Sequence, residues 1–156
     1  MSPRTVKLRL PAEYGSSRRT LAWADVQRQL TDAPRYWLAT TRPDGRPHTV
    51  PVDGVWMNDA CWFGGSPRTV HHRNLVASPA ATVHLEDGAR AVIVEGSARW
   101  VTPERDHAVR LADASNAKTG YGSPVEMFES GLWRLEPVRV LAWNAFPSDA
   151  TRFSFG

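Results

Sequence analysis

The sequence predicts a mainly β protein, an antiparallel barrel with helices at its periphery, and three observations carry that expectation. Short runs of apolar and polar alternation recur along the chain, as a period of two requires. Reversal signals built from proline, asparagine, aspartate and glycine separate them at hairpin spacing. Helical stripes are confined to a few short segments between groups of strands. With 156 residues the chain suits one domain with one core.

Residues 1–19 hold Pro3, Pro11, Gly15 and scattered Arg and Lys without a clear period, and read as an N-terminal arm able to drape over a partner subunit. From Thr20 the pattern changes. Leu21, Ala24, Val26 and Leu30, with polar residues between them, form a helical stripe over 21–32, which Pro34 ends. Tyr36, Leu38 and Thr40 then share one side of an extended chain and Trp37, Ala39 and Thr41 the other. Pro43-Asp44-Gly45 closes a hairpin, and a return strand runs from His48 to Trp56. Asn58-Asp59 makes the next reversal, and Cys61-Trp62-Phe63 is a short apolar strand ending at Gly64-Gly65.

Ser66-Pro67 follows, with serine where a helix N-cap sits and proline at the first helical position, so a helix is expected from there. Arg68, Thr69, His71, His72 and Arg73 occupy its early turns. Such a helix end, with open N–H groups and positive dipole, outlines a phosphate site; the plainer reading is a solvated basic face. After Ser78-Pro79, residues 81–86 alternate, Asp87-Gly88 turns the chain, and Arg90 to Val101 returns, with Gly96 marking a bulge or bend. Thr102-Pro103-Glu104 repeats the cap-then-proline signature and predicts a helix to about Ala114, with Ala108, Leu111 and Ala112 on one side. Residues 118–124 form a glycine-containing loop of the kind that lies over a ligand, or an ordinary connector. Leu132 to Trp143 is the final strand, where Pro137 signals an edge or bulge, and residues 145–156 are a tail.

Composition excludes several classes of function. Nineteen basic against sixteen acidic residues leave a net charge of +3 with no polybasic tract, so no nucleic-acid partner is implied. Seven tryptophans exceed what one small core needs and point to an interface or ligand site as well. A single cysteine, Cys61, permits no intrachain disulfide and no thiolate zinc site. The first residues lack a secretory signal and no apolar run is long enough to cross a bilayer, so a cytoplasmic protein with no membrane partner is expected. No nucleophile triad or paired-carboxylate motif is recognisable. His71 and His72 are neighbours on a helix, about 100° apart, and cannot both face one metal ion. A site in which a bound cofactor supplies the chemistry is what remains.

The strand at Tyr36, the P-D-G-R-P-H turn, the V-P-V return strand, the aromatic third strand and R-N-L after a basic turn resemble the pyridoxamine 5'-phosphate oxidase-like family over residues 20–144. The resemblance implies a split β-barrel of antiparallel Greek-key, FMN-binding type. It also implies a homodimer binding flavin mononucleotide (FMN) or the deazaflavin coenzyme F420 at the subunit boundary. Ser66, Arg68, Thr69, His71, Arg73 and Asn74 match the positions that hold the cofactor phosphate, with Arg68 the leading charge partner. Thr40, Val50, Pro51 and Val52 match the positions whose backbone borders the ring. Trp56 is placed to wall the pocket or fill the dimer interface, and the plainer reading is a core residue. Many relatives carry lysine where this chain has His71, which predicts tighter cofactor binding at pH 6 than at pH 8 if His71 faces the phosphate.

The acidic tail of F420 favours a basic cleft, for which Arg42, Arg46, Arg68 and Arg73 are candidates, and Tyr36 to Leu75 is most similar to deazaflavin-using relatives. The expected function is hydride transfer between F420 and a small organic substrate. The alternatives are an FMN-dependent oxidoreductase and a non-catalytic cofactor-binding protein. The chain ends T-R-F-S-F-G and lacks the C-terminal substrate-gripping motif of true pyridoxamine phosphate oxidases.

Overall fold

The computed structural model describes residues 2–156. In chain order the elements are β1 (Arg4–Lys7), α1 (Trp23–Asp32), β2 (Tyr36–Thr41), β3 (Pro47–Val52), β4 (Gly54–Met57), β5 (Ala60–Phe63) and α2 (Val70–Ala77). These are followed by β6 (Ala80–His84), β7 (Val92–Val101), α3 (Arg105–Thr119), α4 (Val125–Glu129), β8 (Leu132–Ala142) and β9 (Thr151–Ser154). The alternation at Tyr36 is realised directly: Tyr36, Leu38 and Thr40 are buried, and Trp37 and Thr41 are exposed. Every strand pairing is antiparallel, in the path β1-β9-β8-β7-β6-β2-β3, with β4 and β5 joined to it through β8. The architecture is a split barrel, mainly antiparallel sheet with helices at the periphery.

The split has a local cause. One edge of β8 pairs with β7 along its whole length, whereas the other edge is divided, Trp133–Leu135 pairing with β5 and Arg139–Ala142 with β9. Pro137 stands in the gap, where a residue without an N–H forfeits nothing. Across the ladder the register shifts between Glu95 and Gly96, so both anticipated bulge signals meet at one place. A Cβ on Gly96 would lie 2.0 Å from the Glu136 carbonyl oxygen, which leaves room for glycine alone.

The return strand expected from His48 to Trp56 is two strands, since β3 pairs with β2 and β4 with β5. The chain changes partner at Asp53-Gly54, and Gly54 makes this possible: a Cβ there would come within 2.8 Å of the Tyr36 ring. Helix α2 begins at Val70, later than Ser66-Pro67 predicts. Ser66 instead opens a turn closed by Thr69 N–H donating to the Ser66 carbonyl at 2.9 Å, with the Ser66 hydroxyl accepting from Arg68 N–H. Thr69 is the N-cap, its hydroxyl accepting from His72 N–H. Helix α3 likewise starts after its proline, at Arg105, and runs past Ala114 to Thr119, where Gly120 at φ +70° supplies a left-handed stop.

The terminal segments are parts of the sheet. Residues expected as an arm contain β1, residues expected as a tail contain β9, and the two pair with each other while Phe153 is fully buried. Met1 of the expected arm lies outside the described residues.

Two apolar clusters organise the interior. The larger fills the barrel with Leu30 from α1, Tyr36, Leu38, Phe63, Val94, Leu135 and Phe153 among others. Trp56 is buried there, which settles its role as core. The smaller joins Val55, Ala60 and Trp62 of the β4–β5 hairpin to Leu111 of α3 and to Leu132. Strand β5, buried along its length, separates the two. Among the described residues no helix is long and apolar enough to cross a membrane.

Candidate functional site

The Gly64–Thr69 connection between β5 and α2 is built by short-range bonds. Thr69 donates through both its N–H and its hydroxyl to the Ser66 carbonyl, at 2.9 and 2.7 Å. Its cap bond to His72 satisfies one of the four backbone donors that a helix N-terminus leaves open. Arg68 and Arg73 are exposed, and no carboxylate pairs with either among the described residues. Of the other two arginines considered for a basic cleft, Arg46 is engaged with Asp44 at 2.8 Å, and Arg42 lies 3.4 Å from His48 Nδ1.

His71 turns away from the surface. Its ring is buried beneath the turn, and Nε2–H donates to the Gly64 carbonyl at 3.1 Å. A Cβ on Gly65 would lie 2.2 Å from that nitrogen, so glycine at φ +150° is what admits the ring. Burial lowers the imidazole pKa below its usual value, the Gly64 bond opposes this, and His48 and His72 reinforce it. His71 therefore supports the turn from behind as a neutral ring, and the expected gain in cofactor affinity at pH 6 has no basis in this geometry. Asn74 is also inward, donating from Nδ2 to the Thr40 hydroxyl at 3.0 Å and pinning α2 to β2.

The ten residues matched to a cofactor site thus fall into three groups. Ser66, Arg68, Thr69 and Arg73 form the turn and the start of α2; Thr40, His71 and Asn74 lie beneath it. Val50, Pro51 and Val52 are on β3, which has a sheet neighbour on one side only, leaving the backbone of its other edge open. Val52 is buried, Val50 is half-buried against the core and Pro51 is exposed.

A cleft of about 550 Å³ opens on the opposite side of the β4–β5 hairpin from the barrel core. Asp53–Val55 and Trp62–Phe63 floor it, Gly64–Pro67 form one end, Leu111 and Ser115 of α3 one wall, and Tyr121, Ser123, Met127 and Phe128 a cover. Trp100 and Leu132 complete it. The 118–124 loop that the sequence marks as a possible cover does border the cleft through Tyr121 and Ser123, although its first two residues, Lys118 and Thr119, belong to α3, and the short helix α4 after it completes the cover.

Two cover contacts were not foreseen. The Asn116 amide clamps Ser123 in both directions, accepting from its N–H at 2.8 Å and donating to its carbonyl at 3.0 Å. Arg35 joins Asp53 at 3.1 Å and approaches the Tyr121 hydroxyl at 3.4 Å. At the end of α3, Lys118 Nζ donates to the Gly54 carbonyl at 3.2 Å and to the Tyr36 hydroxyl at 3.3 Å, and burial depresses its pKa. Leu111 had a signal in the sequence through the α3 stripe, and Lys118, Tyr121 and Ser123 through the 118–124 loop, whereas Arg35, Ser115 and Asn116 had none. Among the described residues no cluster of three or more metal-ligating side chains is present. Cys61 is fully buried, and burial pushes its thiol up to about 12, so it is not a nucleophile at neutral pH.

Comparison with solved structures finds the same fold under several ligands. The chain is similar to an F420 reductase at 22% identity, covering 72% of this chain and 94% of that one, with a TM-score of 0.54. An FAD-binding protein from Mesorhizobium loti is similar at 19% identity, with 88% and 97% covered and a TM-score of 0.60. A heme storage protein from Vibrio cholerae is similar at 17% identity, with 74% and 89% covered and a TM-score of 0.58. No curated protein matches the chain. The family model of pyridoxamine 5'-phosphate oxidase matches residues 22–144, and the chain belongs to that family.

Proposed function

We infer that this member of the pyridoxamine 5'-phosphate oxidase family is an oxidoreductase that works with a phosphate-bearing flavin-type cofactor, coenzyme F420 in first place and FMN as the alternative. The observation that carries the reading is the Ser66–Thr69 turn. It is held by its own hydroxyl and backbone bonds, it presents Arg68 with no carboxylate partner among the described residues, and it stands at one end of an apolar cleft. A cation free of ion pairing beside open helix N–H groups is the donor set an anionic phosphate requires. The fit is with the phosphate, which both cofactors carry.

When bound, the cofactor would supply hydride chemistry through its ring system. The chain's own part is to bind and orient. Arg68 and the N–H groups at the start of α2 would take the phosphate, with Arg73 adding charge one turn later. Thr40, His71 and Asn74 hold that turn in place from below. The open edge of β3 offers backbone groups to the polar rim of a ring. No side-chain acid or base is required of such a site, since orientation within van der Waals reach is the main demand of hydride transfer.

The reading includes a homodimer with cofactor sites at the boundary. Trp37, Ala39 and Thr41 of β2 point away from the barrel core, beside Thr49 of β3 and Thr82 of β6 in register with Ala39. These β2, β3 and β6 positions are uncharged, as the centre of a subunit interface is, and the next residues in the same row are the paired Glu95 and Arg139. Sedimentation at micromolar concentration should therefore return a dimer, and a monomer would contradict this part of the reading.

Equilibrium titration with F420, FMN and haem, followed by ligand fluorescence or absorbance, tests the rest. F420 should bind most tightly, and Arg68→Ala should weaken it roughly tenfold, the lower end for a charge-assisted bond. Preference for FMN would reassign the cofactor, and preference for haem, or no effect of Arg68→Ala, would refute the oxidoreductase reading.

A further inference from the structure

We propose that the cleft between the β4–β5 hairpin and the α3–α4 segment receives the organic substrate, and that this substrate is a neutral, ring-bearing molecule rather than a charged metabolite. The proposal deepens the oxidoreductase reading and rests on it. The volume of about 550 Å³ lies within the range of pockets that enclose small ligands.

Charge is the discriminating feature. Asp53 is the one charged side chain lining the cleft among the described residues, and it is ion-paired with Arg35 at 3.1 Å, although its buried Oδ1 accepts no hydrogen bond. Between that carboxylate and the turn kept for the cofactor phosphate, the lining offers a charged group no partner, and desolvating a charge in the apolar body of the cleft is costly. Trp62, Phe63, Trp100 and Phe128 instead offer ring faces and edges that suit a planar apolar body. Ser115 and Ser123 contribute hydroxyls able to meet carbonyl or hydroxyl substituents of such a body.

The geometry of the walls fits the same occupant. Gly131 lies against the Trp100 indole so closely that a Cβ would come within 2.3 Å of Nε1, which lets the ring lie flat on the backbone as a wall. On the cover, Gly120 and Gly122 take positive φ of +70° and +63°, and Tyr121 and Met127 are exposed beside them. The far end is the Gly64–Pro67 segment, shared with the turn proposed for the cofactor phosphate, so a molecule in the cleft abuts the cofactor's site.

The test uses the full chain and two fluorescent probes of one skeleton, N-phenyl-1-naphthylamine and its sulfonated counterpart 8-anilinonaphthalene-1-sulfonate. The neutral probe should bind saturably, and the sulfonate should displace it at least tenfold less effectively. Met127→Glu, at an exposed position, should weaken the neutral probe at least fivefold with an unchanged far-UV circular dichroism spectrum. Val138→Glu, an exposed apolar position on β8 away from the cleft, should leave binding as it is. Equal affinity for the two probes, or neutral-probe binding untouched by both Met127→Glu and Trp100→Ala, would overturn the proposal. The same samples titrated with F420 and FMN separate the two failures. Cofactor binding without probe discrimination overturns the cleft assignment, whereas probe discrimination without cofactor binding overturns the substrate role and the oxidoreductase reading together.

Discussion

The two ends of the cleft are made in opposite ways. The Gly64–Thr69 turn is held by bonds that span at most seven residues, with Thr69, Ser66 and the buried His71 all working on backbone groups. The Gly120–Ser130 cover is tied to the rest of the chain chiefly by side chains, the Asn116 amide, the Arg35–Tyr121 approach and the exposed Arg105, which pairs with Glu126 at 3.5 Å and Glu129 at 2.8 Å, and such surface pairs hold weakly. A dense local network preorganises a site for a fixed group such as a phosphate. A sparsely tethered segment is what a site needs when its ligand varies in shape, because local opening is cheap there.

This contrast makes graded demands on experiment. Gly65→Ala should have the largest effect, since its Cβ would collide with His71 at a backbone φ of +150°. A loss of roughly 2–4 kcal/mol is expected from overpacking and backbone strain combined. Thermal unfolding should register it as a fall in Tm of about 4 °C or more. A Tm within 1 °C of the parent would show that the turn yields as readily as the cover.

Asn116→Ala removes both bonds to Ser123 and should cost about 1–2 kcal/mol. Its sharper signature is local: limited proteolysis should cut the 120–124 segment faster while the barrel stays intact. Equal cutting of parent and variant would mean that Asn116 does not hold the cover.

The turn also carries a pH dependence. Burial holds the folded His71 pKa below the value of about 6.5 that the unfolded chain has. The unfolded state therefore binds the proton first, and the stability contributed by neutral His71 is complete above pH 6.5 and is lost as pH falls below it. Tm should be flat between pH 7 and 8 and decline toward pH 5. His107, depressed by burial and by Arg110 and Arg134, shares in that decline. His71→Gln, whose amide can still donate to Gly64, should make the decline shallower; an unchanged slope would remove His71 from the account. Arg35→Ala is expected to do least. It should leave Tm unmoved and speed cutting of the cover modestly, and a clear drop in Tm would show the latch to be structural.

Legibility in the sequence followed the range of the interactions involved. The β2–β3 hairpin, the β5 strand and the bulge at Gly96 and Pro137 could be read because alternation, turn residues and missing donors act within a few positions. Both cap-then-proline signatures were misleading about helix starts, since Ser66 opens a turn, residues 102–104 form a short connection without a turn, and the helices begin later, at Val70 and Arg105. The residues of the phosphate turn were legible through family resemblance, but His71 and Asn74 could not be recognised as supports. Whether a polar side chain faces outward or inward depends on which backbone carbonyl or hydroxyl lies beneath it, here Gly64 and Thr40.

Sequence was enough to determine a mainly antiparallel barrel, its principal hairpins, a basic turn after the third aromatic strand, and the lack of a catalytic triad motif. These follow from periodicity, turn chemistry and residue type, all of which are local. Tertiary structure alone decided that β1 and β9 join the ends of the chain into one sheet, that β8 divides its edge between β5 and β9, and that α3 and α4 roof a cleft over the β4–β5 hairpin. Each of these depends on surfaces brought together from distant parts of the chain, where the gain is burial of apolar area and no local pattern records the partner.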